Sequence, residues 1–169
     1  ALVTRRANVR RFPTMELLTN SSLDPDLDRL QETALFVGQW LQVLHYSQDR
    51  QWAFVVTDHY RGWMQVTDFA VTDRQTIAKF LANPQRLTVT GAKVQTNVTP
   101  ELPSVSAVSL DMGVKLPLLP TPDTLVNGQH PSFSYVVQLP TRAADGRLQL
   151  FPALIARHHD VQVAALPFN

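Results

Sequence analysis

Gln51-Trp52-Ala53-Phe54-Val55-Val56-Thr57 alternates large and small apolar side chains with period two, and Gly62-Trp63-Met64-Gln65-Val66 follows after one turn. Alternation over so short a span, bounded by turn residues, is the mark of a β-strand and not of a helix. It places Trp52, Phe54 and Val56 on one face, and Trp52 and Trp63 at alternating positions that favour a barrel core over a ligand platform. Upstream, the run 35–46 reads as a strand pair or a kinked strand bent at Gly38. With the segment from Leu2 to Arg11, these short strands suffice for a small closed barrel.

The same pattern returns later in the chain. Apolar runs recur at 87–89, 93–95, 114–116, 135–139, 148–150, 154–156 and 161–164, and Asp145-Gly146 lies between two of them as a hairpin turn. The 12 prolines and 6 glycines fall between short apolar runs. Pro117-Leu118-Leu119-Pro120-Thr121-Pro122 is expected to be an extended, irregular connection. One helix interrupts the strands, over about 73–82. Thr72-Asp73-Arg74-Gln75 has the form of a capping box, Ile77, Phe80 and Leu81 make an apolar stripe, and Asn83-Pro84 ends it. The expected architecture is all-β, two small barrels joined by a short helix: 1–71, a connecting helix at 72–84, and 85–169.

Composition narrows the function. The 169 residues are 44% hydrophobic and 17% charged, so a folded, weakly charged protein is expected. No apolar run approaches the length of a membrane span, and Ala1-Leu2-Val3-Thr4-Arg5-Arg6 does not open like a signal peptide. There is no cysteine. That excludes thiolate metal sites and a cysteine nucleophile within these residues. Hydrolase elbows, zinc-protease motifs, phosphate loops and calcium loops are missing too, so no catalytic residue and no cofactor is assigned.

Three strings carry candidate chemistry. His158-His159-Asp160 is the most metal-like, but on a strand adjacent side chains point to opposite faces, so the string reads as a solvated turn and no metal is assigned. Arg5, Arg6, Arg10 and Arg11 suggest a nucleic-acid strip, with carboxylates at Asp24, Asp26, Asp28 and Glu32 available to pair with them. A net charge of +1 and a pI near 8.4 argue against nucleic acid as partner. The acidic run from Leu23 to Glu32 is a long loop. Folded over the barrel mouth, its carboxylates at Asp28 and Glu32 would face Tyr60 and Trp63 in an anionic, aromatic notch suited to an ammonium group.

Arg6-Ala7-Asn8-Val9-Arg10-Arg11-Phe12-Pro13-Thr14 resembles the opening of a bacterial SH3-like domain, and the strings 28–35, 43–49, 52–55 and 62–64 continue that resemblance. The subtype stands before an NlpC-type, papain-like cysteine peptidase that cleaves peptidoglycan stem peptides at γ-D-glutamyl-diamino acid bonds. Met112-Gly113-Val114-Lys115-Leu116-Pro117-Leu118 and Tyr135-Val136-Val137-Gln138-Leu139-Pro140 resemble the companion SH3-like domain, and residues 165–169 the linker into the peptidase.

The resemblance implies a substrate-selecting and targeting unit, inactive alone, of an exported periplasmic or envelope enzyme, with a lipid anchor left open. Its partners would be a stem peptide and a downstream peptidase domain. It implies a binding role for Tyr60 and, with it, Asp28 and Glu32, while Trp63 joins them through the notch read from the residues. The alternative is a stand-alone cell-wall or protein-binding adaptor with no enzymatic partner domain.

Overall fold

The computed structural model describes residues 1–19 and 28–165; Asp24 and Asp26 of the acidic loop and residues 166–169 of the linker-like string lie outside them. The strands are β1 (Leu2–Val3), β2 (Ala7–Arg10), β3 (Gln31–Leu35), β4 (Gln42–Tyr46), β5 (Trp52–Val56), β6 (Arg61–Gln65) and β7 (Phe69–Ala70). After helix α1 (Arg74–Leu81) come β8 (Gln85–Val89), β9 (Lys93–Gln95), β10 (Ser109–Asp111), β11 (Lys115–Leu119), β12 (Ser134–Arg142), β13 (Leu148–Ala156) and β14 (Val161–Ala165). The chain is all-β with one short helix.

Two five-stranded antiparallel sheets carry the fold, in the orders β3-β2-β6-β5-β4 and β13-β12-β11-β8-β14. Among the described residues no ladder joins β3 to β4 or β13 to β14, so each sheet is an open array at the level of strand pairing. The first sheet buries Val9, Val55 and Met64 with Val3, Leu41 and Phe69. The second buries Leu87, Leu116, Leu139 and Ile155 with Leu110 and Phe80.

Alternation in β5 is present, but its faces are the reverse of the expected ones. Ala53 and Val55 point into the core, while Phe54 and Val56 lie on the outer face, half-buried. Trp52 is buried on that outer side, outside the core cluster. The strands approach closely at the inner face. At Gly62, opposite Val55, an added Cβ would stand 2.7 Å from the Arg10 carbonyl and from Val9 Cγ1.

The helix differs from its expected form in two ways. Its N-cap is Asp73, not Thr72: the Asp73 carboxylate accepts the Thr76 N–H at 2.8 Å and the Thr76 hydroxyl at 2.8 Å. A carboxylate at this position satisfies an orphan amide and faces the positive end of the helix. Nor is α1 only a connector. Phe80, 2% exposed, is driven into the core of the second sheet.

Pro117 is also in a strand, not in an irregular connection. Residues 115–117 pair with β8 and 118–119 with β12, so the proline sits where β11 changes partner, a place that tolerates a missing N–H. The hairpin at Asp145-Gly146 forms, with Gly146 at φ +86°.

The two sheets are tied together by more than the helix. Leu2 and Val37 belong to the core of the second sheet. Val71 exchanges backbone bonds with Gly146 and Leu148 at 2.9 Å each, and Arg142 Nε donates to the Val66 carbonyl at 3.0 Å.

Candidate functional site

A groove of about 550 Å³ runs between the two sheets. One wall is the end of β3 with its following turn, through Phe36 and Trp40, together with the β5–β6 turn at Asp58 and Tyr60. The other wall brings Arg86 and Lys115. Gly38, at φ +83°, carries the β3–β4 turn over the second sheet. A Cβ there would lie 3.3 Å from Leu116 Cδ2 and 3.5 Å from Phe80 Cε1. The left-handed backbone and this close approach both favour glycine.

Tyr60 is placed by a tight turn. The Thr57 N–H donates to the Tyr60 carbonyl at 2.8 Å, and the Thr57 hydroxyl accepts the Tyr60 N–H at 3.0 Å. This leaves the phenol at the rim, 47% exposed. Asp58, in the same turn, is exposed and makes no ion pair among the described residues.

Arg86 closes the far wall, 7% exposed. Its Nη1 donates to the carbonyls of Phe80 at 3.2 Å and Leu81 at 3.1 Å, and its Nη2 to that of Lys115 at 2.8 Å. It thereby satisfies the last turn of α1, where a cation is also favoured by the helix dipole. Burial pulls its pKa below the ordinary value.

Of the four residues singled out in the sequence, only Tyr60 lines this groove. Asp28 is at the neck of the long loop, its side chain 8% exposed and 2.7 Å from Arg10 Nη1. The contact is an ion pair without well-aligned hydrogen-bond geometry, since Asp28 Oδ2 and Arg10 Nε have no hydrogen-bond partner. Asp28 Oδ1 accepts the N–H groups of Leu30 at 3.0 Å and Leu18 at 3.2 Å. The Leu30 N–H above all, then the Leu18 N–H and Arg10, hold the Asp28 carboxyl below the ordinary aspartate range. Glu32 pairs with Arg11 at 3.3 Å. The structure therefore gathers neither carboxylate with Tyr60.

Trp63 lies on the outer face of the first sheet and not in its core. It meets Phe54 edge-on at 5.4 Å and His45 at 5.2 Å, while His45 stacks on Phe54 at 5.2 Å. Its cross-strand partner in β2 is Arg10, which is 2% exposed and donates to the Glu16 carbonyl at 2.6 Å. Sequence reasoning missed Asp58, Phe36, Trp40 and Arg86, because only the docking of one sheet on the other makes them neighbours.

The basic strip is consumed by ion pairs. Arg5 meets Asp68 at 2.6 Å, Arg6 meets Asp111 at 3.1 Å, and Arg10 and Arg11 have the partners already described. Each guanidinium is thus offset by a carboxylate, which weakens the field a polyanion would feel.

The ground for setting His158-His159-Asp160 aside does not hold. The string occupies the turn between β13 and β14, not a strand, and one ligand atom from each residue lies within 4.8 Å of the others.

Residues 18–65 match the family model for an SH3 domain of the SH3b1 type. A search of curated proteins gave no match. Among solved structures, an NlpC/P60 endopeptidase from Photobacterium damselae subsp. piscicida is similar over 99% of this chain and 33% of its own, at 20% identity and a TM-score of 0.72. An NlpC/P60 family protein from Bacillus cereus ATCC 10987 is similar over 97% of this chain and 56% of its own, at 19% identity and a TM-score of 0.65. The chain spans about a third of the first and just over half of the second. It carries at residues 18–65 a match to the bacterial SH3 domain of the SH3b1 type, within a fold shared with part of these NlpC/P60 proteins.

Proposed function

We propose that this chain is the non-catalytic, substrate-selecting part of an exported NlpC-type peptidoglycan endopeptidase, with the second sheet as the companion SH3-like domain. A downstream domain would supply the cysteine nucleophile and its base. The observation that carries this reading is the groove with Asp58, which has no ion pair among the described residues, and the Tyr60 phenol on one wall and Lys115 on the other. Such a groove suits a short zwitterionic peptide. The peptide's ammonium would meet Asp58 and Tyr60, and a carboxylate would lie toward Lys115. A peptide still amide-linked to glycan lacks the ammonium, and placing it there would leave Asp58 uncompensated.

In this reading Asp28 and Glu32 act at one remove, by holding the loop neck through Arg10 and Arg11, and Trp63 acts only as part of the aromatic outer face with Phe54 and His45. Phe36 and Trp40 provide the apolar floor, as in ligand sites where few polar groups fix orientation.

Nuclear magnetic resonance titration with a free stem tripeptide and its N-acetylated form tests the reading. The free peptide is expected to shift resonances of the 57–60 turn, and acetylation to abolish the effect. Asp58→Asn and Tyr60→Phe should each weaken binding, by about tenfold for a charge-assisted contact. Equal binding of both peptides, or unchanged affinity in both variants, refutes it. Reading the gene past Asn169 separates the alternatives: a cysteine and a later histidine support the peptidase, and a stop codon leaves a stand-alone cell-wall or protein-binding adaptor.

A further inference from the structure

The turn between β13 and β14 gathers three potential metal ligands far along the chain from the groove residues of the first sheet. We propose that His158, His159 and Asp160 form a binding site for a borderline divalent ion of the zinc class. His158 Nδ1 lies 3.4 Å from Asp160 Oδ2, and His159 Nε2 lies 3.3 Å from Asp160 Oδ1. A tetrahedral shell with bonds of about 2.0–2.1 Å has ligand-to-ligand edges of about 3.3–3.4 Å. The two separations run to different oxygens of the carboxylate, and one ligand atom from each residue lies within 4.8 Å of the others, so side-chain movements of about an ångström close the shell around an ion.

The carboxylate's position is built into the fold. The Asp160 carbonyl accepts the N–H groups of Thr90 at 2.8 Å and Gly91 at 3.1 Å, pinning the turn to the segment between β8 and β9. At Gly91 the space of a Cβ is already filled: an added Cβ would lie 2.4 Å from Asp160 Cγ and Oδ1. Glycine at 91 is what lets the carboxylate sit there.

The imidazole is also oriented. The Asp160 N–H donates to His158 Nδ1 at 3.3 Å, with the ring proton assigned to Nε2; that nitrogen has a single lone pair, so a metal ion bound there replaces this long hydrogen bond. Two imidazoles and one carboxylate favour zinc-class ions over magnesium or calcium, which prefer oxygen-rich shells. His159, with its side chain 91% exposed, leaves the fourth position open to water.

Isothermal titration of the 169-residue chain with zinc chloride at neutral pH tests the assignment. One saturable site per chain is expected, with affinity falling by about tenfold or more in His159→Gln and in Asp160→Asn. His130→Gln, a control on a different loop, should leave the titration unchanged. Gly91→Ala should weaken zinc binding with both imidazoles present; the two ligand variants decide the matter if it fails to fold. Cobalt(II) in place of zinc should give visible absorbance of a tetrahedral site. No saturable heat, or affinity indifferent to His159→Gln and Asp160→Asn, overturns the proposal.

Discussion

Replacing Phe80 by alanine should destabilise both sheets at once. The ring is 2% exposed, packs in the core of the second sheet and lies under the Gly38 turn of the first. A buried phenylalanine removes on the order of 150 Å² from water, which at about 25 cal/mol per Å² is near 4 kcal/mol. Deletion to alanine forfeits most of that and leaves a partly collapsed cavity, so a loss of about 3–5 kcal/mol is expected. For a chain of this size the thermal midpoint should fall by roughly 6–20 °C.

The assay follows from where the indoles are. Trp52 and Trp63 lie on the first sheet while Trp40 packs against the core of the second, so in a Trp40→Phe background tryptophan fluorescence reports the first sheet, whereas far-ultraviolet circular dichroism reports both. Because Leu2 and Val37 are buried in the second sheet's core, the two signals should move together in urea, each by the full amount. Phe80→Leu should show a smaller common shift. If fluorescence keeps its midpoint while circular dichroism shifts, the sheets unfold independently and the shared-core argument fails. A total loss of under about 1 kcal/mol would refute the burial argument itself.

Two further outcomes are expected. Gly62→Ala forces a Cβ to within 2.7 Å of the Arg10 carbonyl and Val9 Cγ1, and should cost about 1–3 kcal/mol by chemical denaturation; a neutral result would mean that β2 and β6 can separate freely. Acid should destabilise the chain as well. Asp28, Asp49 and Asp73 are held below 3.8 in the fold, chiefly by the Leu30 N–H, the Ser47 hydroxyl and the Thr76 N–H respectively. A depressed carboxyl contributes stability that is full above its unfolded value and disappears as pH falls through its folded one. Thermal midpoints should therefore drop on acidification below about pH 4, less steeply in Asp28→Asn; an unchanged slope would mean that Asp28 titrates alike in both states.

Periodicity made the strand positions legible, and the alternation at 51–57 is real, but a period of two says nothing about which face is inside. Bulk suggested Trp52 and Phe54. The core instead takes Ala53 and Val55, packed with Val9, Met64 and Phe69. The capping box was misplaced by one residue because Thr72 and Asp73 are both good caps, and a carboxylate outcompetes a hydroxyl at the positive end of a helix. Tyr60 was reachable through its resemblance. Asp58, Trp40 and Arg86 were not, because their proximity depends on contacts between distant segments.

The groove and the shared core are one physical problem. Its near wall rests on the Gly38 turn, which leans on Phe80 and Leu116 of the second unit, and its far wall is held by Arg86, which caps the helix carrying Phe80. Any motion that separates the sheets therefore widens the groove, while Arg86, whose partners at Phe80, Leu81 and Lys115 all belong to α1 and the second sheet, holds the far wall together. It follows that a ligand bridging Asp58 and Lys115 should stabilise the chain against unfolding in proportion to its occupancy. Phe80→Leu, which touches no ligand in this reading, should weaken peptide binding by loosening the second wall, while Glu32→Gln, on the exposed pair with Arg11, should leave that wall unaltered.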